Sequence, residues 1–587
     1  MRRTLRCSVG LITAFLLALQ GCAVDGRDHG SHHDGTDASD HHGAAEGEEG
    51  EGEGDDHAHT HLPRRVIPDG AGAPLFNDLG DYAMPISSTS VLAQKYFSQG
   101  LVLGYGFNHA EAVRSYKEAS QQDPSCGICA WGEAYVLGPN INKPMDDADV
   151  EQAYAASQRA LGLAANASPV ERALIEALVE RYAPEPVVDR SPLDLAYANA
   201  MRDVAMRFPE NLDVQTLFAE ASMDTMPWDY YVTPDEAKPA AKEVIAALES
   251  VIARNPRHPG ALHLYIHIIE PSDTPNRAEF AADQLGPLSP GAGHLVHMPS
   301  HIYLRIGRYH DASIANEKAA AADEAYITQC RAQGFYPALY YPHNVHFLYS
   351  SSAFEGRSEV SIGAAKKLSA HMTPEMVAAV PIAEEFVPIH YYALARFSRW
   401  GEVASLPRPA ANLRYVNGVW HYVRGLLFTA KGDEHMARAE LTALRDIAGE
   451  AALAEFYFSS GSTPAQLLSI GVKVLEARID TKDGQLNDAV ANLKDAVAMQ
   501  DALPYTEPPP WYFPTREAYG EALVASGRAA EAEAVYHEQL DHTPRNGWSL
   551  HGLALSQRAQ GKTEEAEATE ALRDEVWEYA DIEIGTL

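Results

Sequence analysis

The chain has 587 residues and a formal charge of −35, with 46 Lys and Arg against 81 Asp and Glu. That length exceeds one compact core and predicts several domains or a solenoid. The acidic balance excludes a nucleic-acid partner, whose phosphates demand clustered Lys and Arg, and beyond the N-terminal segment no stretch is apolar enough to span a bilayer.

Residues 1–21 read as an export signal. Arg2, Arg3 and Arg6 precede an apolar stretch, Leu11–Leu19, too short to cross a membrane. Leu19-Gln20-Gly21-Cys22 resembles the bacterial lipobox. The resemblance implies cleavage before Cys22, lipidation of its thiol and a place in the bacterial cell envelope. With Ala23 and not Asp next, it implies sorting to the outer membrane. A plain signal peptide with a chance cysteine is the other reading.

Residues 22–85 are expected to form a disordered tether. From 23 to 62 they are mainly Gly, Ala, Asp, Glu and His, with Arg27 the one basic residue. Such a stretch buries too little apolar surface to offset the entropy of ordering. It carries eight histidines, His29, His32, His33, His41, His42, His57, His59 and His61. Flanked by carboxylates, these suit Zn, Cu or Ni; a solvated spacer is the plainer reading.

From about Val66 the composition turns globular. Period-2 alternation is scarce, while segments such as Ala240–Ala253 and Asp488–Met499 carry apolar residues at helical spacing. Gly527-Arg528-Ala529-Ala530-Glu531-Ala532 recurs as Gly561-Lys562-Thr563-Glu564-Glu565-Ala566, and 561 − 527 is 34. Asn108–Pro124 followed by Trp131-Gly132-Glu133-Ala134-Tyr135 resembles the second helix, closing proline and next first helix of a tetratricopeptide (TPR) unit. Turns between helices are expected at Gly307–Ala312 and Lys431–Glu434. Residues 86–587 are therefore expected to form an all-α, right-handed α-solenoid of about ten to twelve TPR-like helix–turn–helix repeats. Insertions at Met226–Asp235 and Gly334–Pro342 break the period and read as lids or ridges. Cys126-Gly-Ile-Cys129 reads as a short disulfide staple, a free pair or a redox pair; no His follows it, so haem attachment is excluded. The segments FNH-x-EA, DPxCxxCxWG and HMPSHIY together resemble a bacterial family of secreted TPR proteins, a likeness that brings no activity with it.

The sharpest pattern is histidine spacing. His263 and His267 lie four apart in HLYIH, His297 and His301 four apart in HMPSH, and 297 − 263 and 301 − 267 both equal 34. Equivalent positions in stacked repeats face one way, so four imidazoles are expected on one surface of the concave groove. Landmarks extend the rows. Phe208-Pro209 and Asn255-Pro256 align at an offset of 47, which sets Thr216 opposite His263 and Glu220 opposite His267. Gly307 and Gly356 align at 49, which sets His346 opposite His297 and His343 opposite His294. Ser350 closes the second row, and Glu270 lies one turn beyond His267.

Residues four apart on a helix are neighbours, and packed helices sit about 8–10 Å apart, within reach of imidazole pairs. The expected ligands of a divalent transition metal, Zn, Cu or Fe, are His263, His267, His297 and His301, with His343, His346 and His294 available to a second ion. Glu270 or Glu220 would add a ligand or a general base. Trp228, Tyr265 and Tyr303 are expected to wall the pocket. Pro299 either kinks the His297–His301 helix or starts a new one after His297.

The functional reading is an envelope TPR lipoprotein with a His/Glu metal cluster in its groove, serving oxidation, hydrolysis or metal handling. The alternative is a non-catalytic scaffold whose groove binds a peptide, partner protein or small molecule. No G-x-S-x-G, H-E-x-x-H, phosphate loop or dinucleotide fingerprint occurs.

Overall fold

The computed structural model describes Pro68 and residues 71–330 and 335–582. The export signal, Cys22 and the eight tail histidines lie outside the described residues.

The described chain is a succession of antiparallel helix pairs, with one two-stranded ribbon, Tyr231–Thr233 against Glu236–Ala237. It is an α-solenoid of TPR-like helix–turn–helix units. The 34-residue echo marks structural equivalents: Gly527 and Gly561 end their helices at φ of 77° and 78°. Gly307 and Gly356, the landmarks at offset 49, do the same at 80° and 79°. A left-handed residue stops the helix and frees its last carbonyls for closing bonds, which favours glycine. No described helix is long and apolar enough to cross a membrane.

Seven helices frame the histidine-bearing groove: α1 (Val91–Tyr105), α2 (Leu212–Met223), α3 (Pro259–Ile269), α4 (Gly293–His297), α5 (Pro299–Ile306), α6 (Tyr309–Cys330) and α7 (Phe335–Glu355). The N-caps of α2 and α3 are Asn211 and His258, 47 apart, and each accepts a backbone N–H three residues on. The helix restarts at Pro299, so His297 ends α4 and His301 sits in the first turn of α5. That is the second of the two expectations for this proline, which suits the first helical position because it lacks an N–H.

Two expectations change. Gly334–Pro342 was expected as an inserted lid or ridge; from Phe335 onward it forms the opening turns of the 21-residue α7, which carries Pro342 inside it. Residues 71–85, included in the expected tether, pack onto the helices instead. Ala73, Leu79 and Met84 are buried there. Tyr96 donates to the Ala73 carbonyl at 2.5 Å, and Ser289 Oγ to that of Leu79 at 3.1 Å. The apolar residues Leu75, Phe76, Leu79 and Met84 supply the burial that the polar stretch before them lacks.

Cys126 and Cys129 are disulfide-bonded at the start of the helix Gly127–Leu137, the staple among the three readings of that pair.

The solenoid curls back on itself. Tyr309 donates to the Pro544 carbonyl at 2.9 Å, Trp548 Nε1 to that of Ala353 at 2.9 Å, and Trp577 Nε1 to that of Phe354 at 3.1 Å. Gly307 lies so close to Pro544 that a Cβ there would meet its carbonyl oxygen at 2.2 Å. This curl brings the segment around Tyr505 and Glu507, from the C-terminal third, against Glu270 and Arg305.

Candidate metal centre

The groove holds two histidine triads side by side, His263/His267/His294 and His297/His301/His343. Within each, one ring nitrogen per residue lies within 4.8 Å of the others. The triads adjoin: the rings of His294 and His297 stack at 5.9 Å, and those of His267 and His301 stand 6.2 Å apart.

Helix periodicity sets the first triad. His263, His267 and Glu270 fall at spacings of four and three along α3 and so share a face. His263 and His267 are 0% and 1% exposed. His263 Nδ1 lies 2.5 Å from the Tyr105 carbonyl at the end of α1. A carbonyl only accepts, so Nδ1 carries the hydrogen and Nε2 presents a lone pair. That lone pair points at His294 Nε2, 3.1 Å away. His267 is the anomaly: neither ring nitrogen has a hydrogen-bond partner among the described residues. A buried polar group in that state costs on the order of 1–3 kcal/mol.

The second triad repeats the scheme. His297 Nδ1 lies 2.6 Å from Asn316 Oδ1, and Asn316 Nδ2 donates to the Ala312 carbonyl at 2.7 Å. The second bond fixes the amide, so Oδ1 accepts and His297 Nε2 is left as a lone pair. His301 Nε2 sits 2.9 Å from His297 Nε2 and 3.5 Å from His343 Nε2. The other His301 nitrogen, Nδ1, meets Glu270 Oε2 at 2.9 Å and Glu507 Oε2 at 3.6 Å. Carboxylate behind the ring and an open nitrogen in front is the arrangement that orients a metal-bound histidine.

Electrostatics favour neutral ligands. Burial holds His263 at about 3 against an ordinary 6.5, despite its bond to the Tyr105 carbonyl. Burial and neighbouring imidazoles hold His267, His294, His297 and His343 well below the ordinary range. His301 is the exception: burial opposes its charge, but Glu270 and Glu507 outweigh burial and lift it to about 9. Glu270 itself is raised by burial, an effect that His301 partly offsets.

Each triad has an aromatic cover. The Phe107 ring centroid stands 4.7, 5.9 and 5.3 Å from those of His263, His267 and His294. Phe347 stands 4.8, 4.4 and 5.0 Å from His297, His301 and His343. Tyr340 packs on His294 at 4.6 Å. Trp228, held by a 3.0 Å bond from Nε1 to Asn142 Oδ1, sets its ring edge-to-face on His267 at 5.2 Å.

Not every expected residue joins. His346 stacks on Tyr349 at 6.0 Å and packs against Phe386 at 5.4 Å, turned toward the next unit and away from the triads. His343 meets His301 and His297, whereas landmark alignment paired it with His294; neighbouring helices pack about one turn out of register here. Glu220 is committed to the Tyr135 hydroxyl, and burial raises it to about 7. Thr216 contacts His258 Nε2 at 3.3 Å, not His263. Tyr265 and Tyr303 do not wall the triads: Tyr265 donates to Glu249 and Tyr303 to Asp283. Each lies two residues from a triad histidine, about 200° around the helix, and so faces away. Tyr265 lines a separate shallow cavity of ≈ 380 Å³ with Arg277 and Phe280.

Sequence reasoning passed over Glu507, Asn316, Tyr105, Phe107 and Phe347. Phe107 and Phe347 stand beside histidines, in FNH and HNVHF. Glu507, in TEPPP, carries no local signal at all.

The donor set fits a transition metal: six imidazoles, most held neutral, with ring nitrogens converging and, for His263, His297 and His301, a partner on the opposite nitrogen. No protein-family model matches the chain, and no curated protein does. Solved structures that are similar to it are long helical arrays. The Naa15/Naa10 complex bound to HypK-THB is 12% identical, covering 82% of this chain and 68% of that one at a TM-score of 0.23. The human IFIT1 dimer is 10% identical, covering 84% and 91% at 0.28. The TPR domain of P58(IPK) is 12% identical, covering 81% and 99% at 0.20. At such scores nothing is transferred from them, and the fold assignment stands on the helix pattern of this chain.

Proposed function

We propose that this chain is a cell-envelope, lipid-anchored TPR-like protein that holds transition-metal ions in the two histidine triads of its groove. The observation that carries the reading is His267, fully buried with neither nitrogen hydrogen-bonded, beside two pairs of Nε2 atoms about 3 Å apart. A cation between such atoms takes the place of the one ring hydrogen that each pair can share. His263, His267 and His294 would hold one ion, and His297, His301 and His343 the other. Tyr105, Asn316 and Glu270 would orient three of the rings, and Glu507 would share the charge on His301. The bound metal supplies Lewis-acid or redox chemistry, or is itself the cargo. The acidic, His-rich N-terminal segment suits a feeder that raises metal concentration near the groove, and the lipobox-like Cys22 suits an outer-membrane anchor.

The test is metal content. The full chain, with its eight tail histidines changed to alanine, is purified without chelator or His tag, and bound metals are measured by mass spectrometry beside a His267→Ala, His343→Ala variant. Metal retained in the first and lost in the second supports the reading. No metal in either, even after reconstitution, leaves the alternative of a scaffold that binds a peptide or partner protein.

A further inference from the structure

We propose that the chain carries a third metal site, outside the two triads, in which Glu270, His301 and Glu507 bind a divalent cation that accepts both imidazole and carboxylate ligands. His301 Nδ1, Glu270 Oε2 and Glu507 Oε2 all lie within 4.8 Å of one another. The two contacts to the ring are 2.9 and 3.6 Å. Donors about 2.0–2.2 Å from one cation stand about 3–3.5 Å apart, so the cluster is close to the size of a coordination shell. Glu270 is 1% exposed, His301 4% and the Glu507 side chain 3%. None of the three donor atoms has a hydrogen-bond partner among the described residues. Buried polar atoms are otherwise almost always paired, so three orphans facing one point call for an occupant. The site uses the Nδ1 edge of His301, whereas the second triad uses Nε2. It therefore stands whether or not the triads are filled, and its ion joins Glu270 to His301 in place of their direct contact.

The three donors come from three parts of the chain. Glu270 caps α3, His301 lies in the first turn of α5, and Glu507 sits on the link between the helices Leu486–Asp501 and Thr515–Ala525. Residues 502–514 make a long link for a repeat array, where helix–helix connections take about 2–8 residues. Pro508, Pro509 and Pro510 follow Glu507 and restrict the backbone that presents it. Its carboxylate is aimed through the other oxygen: Oε1 accepts from the Tyr505 hydroxyl and lies 3.7 Å from Arg305 Nε. A ligating carboxylate is held in this way by partners on its far side. Tyr505 is 47% exposed, so the site lies one side chain below the surface and its ion exchanges with solvent. Bound there, the ion fastens the C-terminal third of the solenoid to the helices that carry the histidines.

Mn(II) is the probe, because carboxylates suit it and all-imidazole triads favour metals above it in the affinity order. The full chain, with the tail histidines replaced, is given two equivalents of Zn(II), desalted and titrated with Mn(II). Free Mn(II) is read from its electron paramagnetic resonance signal. The expected result is one Mn(II) bound per chain. Glu507→Gln removes a donor, and Tyr505→Phe keeps all three donors but removes the bond that aims Glu507. Each should weaken Mn(II) binding roughly 10- to 100-fold. Circular dichroism checks both variants for native helix content. Absence of saturable Mn(II) binding, or binding that neither substitution weakens, would overturn the proposal. The same titration on chain that received no zinc separates this site from the triads. Mn(II) held through Glu507 by a protein that retains no zinc keeps the third site and sinks the triads; two zinc ions with no Mn(II) do the reverse.

Discussion

His297 Nε2 lies 2.9 Å from His301 Nε2, while the opposite nitrogens of both rings are already engaged, by Asn316 and by Glu270. One ring hydrogen shared between the two nitrogens, or a cation held by both, closes such a contact. His263 and His294 make the same Nε2–Nε2 contact at 3.1 Å, with His263 Nδ1 engaged by the Tyr105 carbonyl.

Asn316 is predicted to act on the second triad through His297 alone. Asn316→Leu removes the acceptor that fixes His297 Nδ1–H. Loss of such an orienting partner costs roughly 10- to 100-fold in metal affinity. A metal titration should resolve one weakened equivalent and one unchanged. Equal weakening of both would point to general loosening of the fold.

Phe347 is predicted to matter for stability as much as for the site. It is fully buried and packs on three imidazoles. Phe347→Ala should destabilise the protein by about 3–5 kcal/mol, the range for large-to-small aromatic changes in cores. Chemical denaturation of the metal-free protein reads this directly, and a loss below about 1 kcal/mol would contradict the packing described.

The metal-free protein is predicted to lose stability in mild acid. Burial holds His263 near 3, and burial with neighbouring rings holds His267, His294, His297 and His343 well below 6.5. Below about 6.5 the unfolded chain takes up protons on these rings and the folded chain does not. Each therefore weakens folding by up to about 1.4 kcal/mol per pH unit as pH falls. His301 runs the other way: lifted to about 9, its contribution is full below 6.5 and is lost as pH rises through 9. Five rings outweigh one on the acid side. The melting temperature should fall steadily from pH 7 to pH 5, and less so in His267→Phe. A flat profile would mean the rings are not buried neutral.

Glu220→Gln is predicted to leave metal content unchanged. Its carboxylate is bound to the Tyr135 hydroxyl, away from both triads, and the amide can accept the same bond. Loss of an equivalent in this variant would return Glu220 to the site.

The repeat architecture was legible because its signals are local. Gly527 and Gly561 announce equivalent turns, and Phe208-Pro209 and Asn255-Pro256 announce the equivalent helix starts capped by Asn211 and His258. The four histidines at period 34 were legible for the same reason. What sequence spacing missed lies in the inter-helix register and in the curl of the solenoid. A shift of about one turn moves His343 onto His301 and sends His346 toward Phe386. The curl carries Glu507 across more than two hundred residues to His301, with Tyr505 reaching the Glu270 carbonyl at 3.4 Å beside it. Tyr265 and Tyr303 were grouped with the site by proximity in sequence, although helical periodicity places them on the far face.

The central claim is most directly tested by counting metal ions in the folded chain. With the tail histidines replaced, mass spectrometry of the purified or reconstituted protein should give two equivalents of transition metal per chain, falling to one in His267→Ala or His343→Ala and to none in the double variant. A folded protein that retains no metal after reconstitution, or whose metal survives the double substitution, would contradict it.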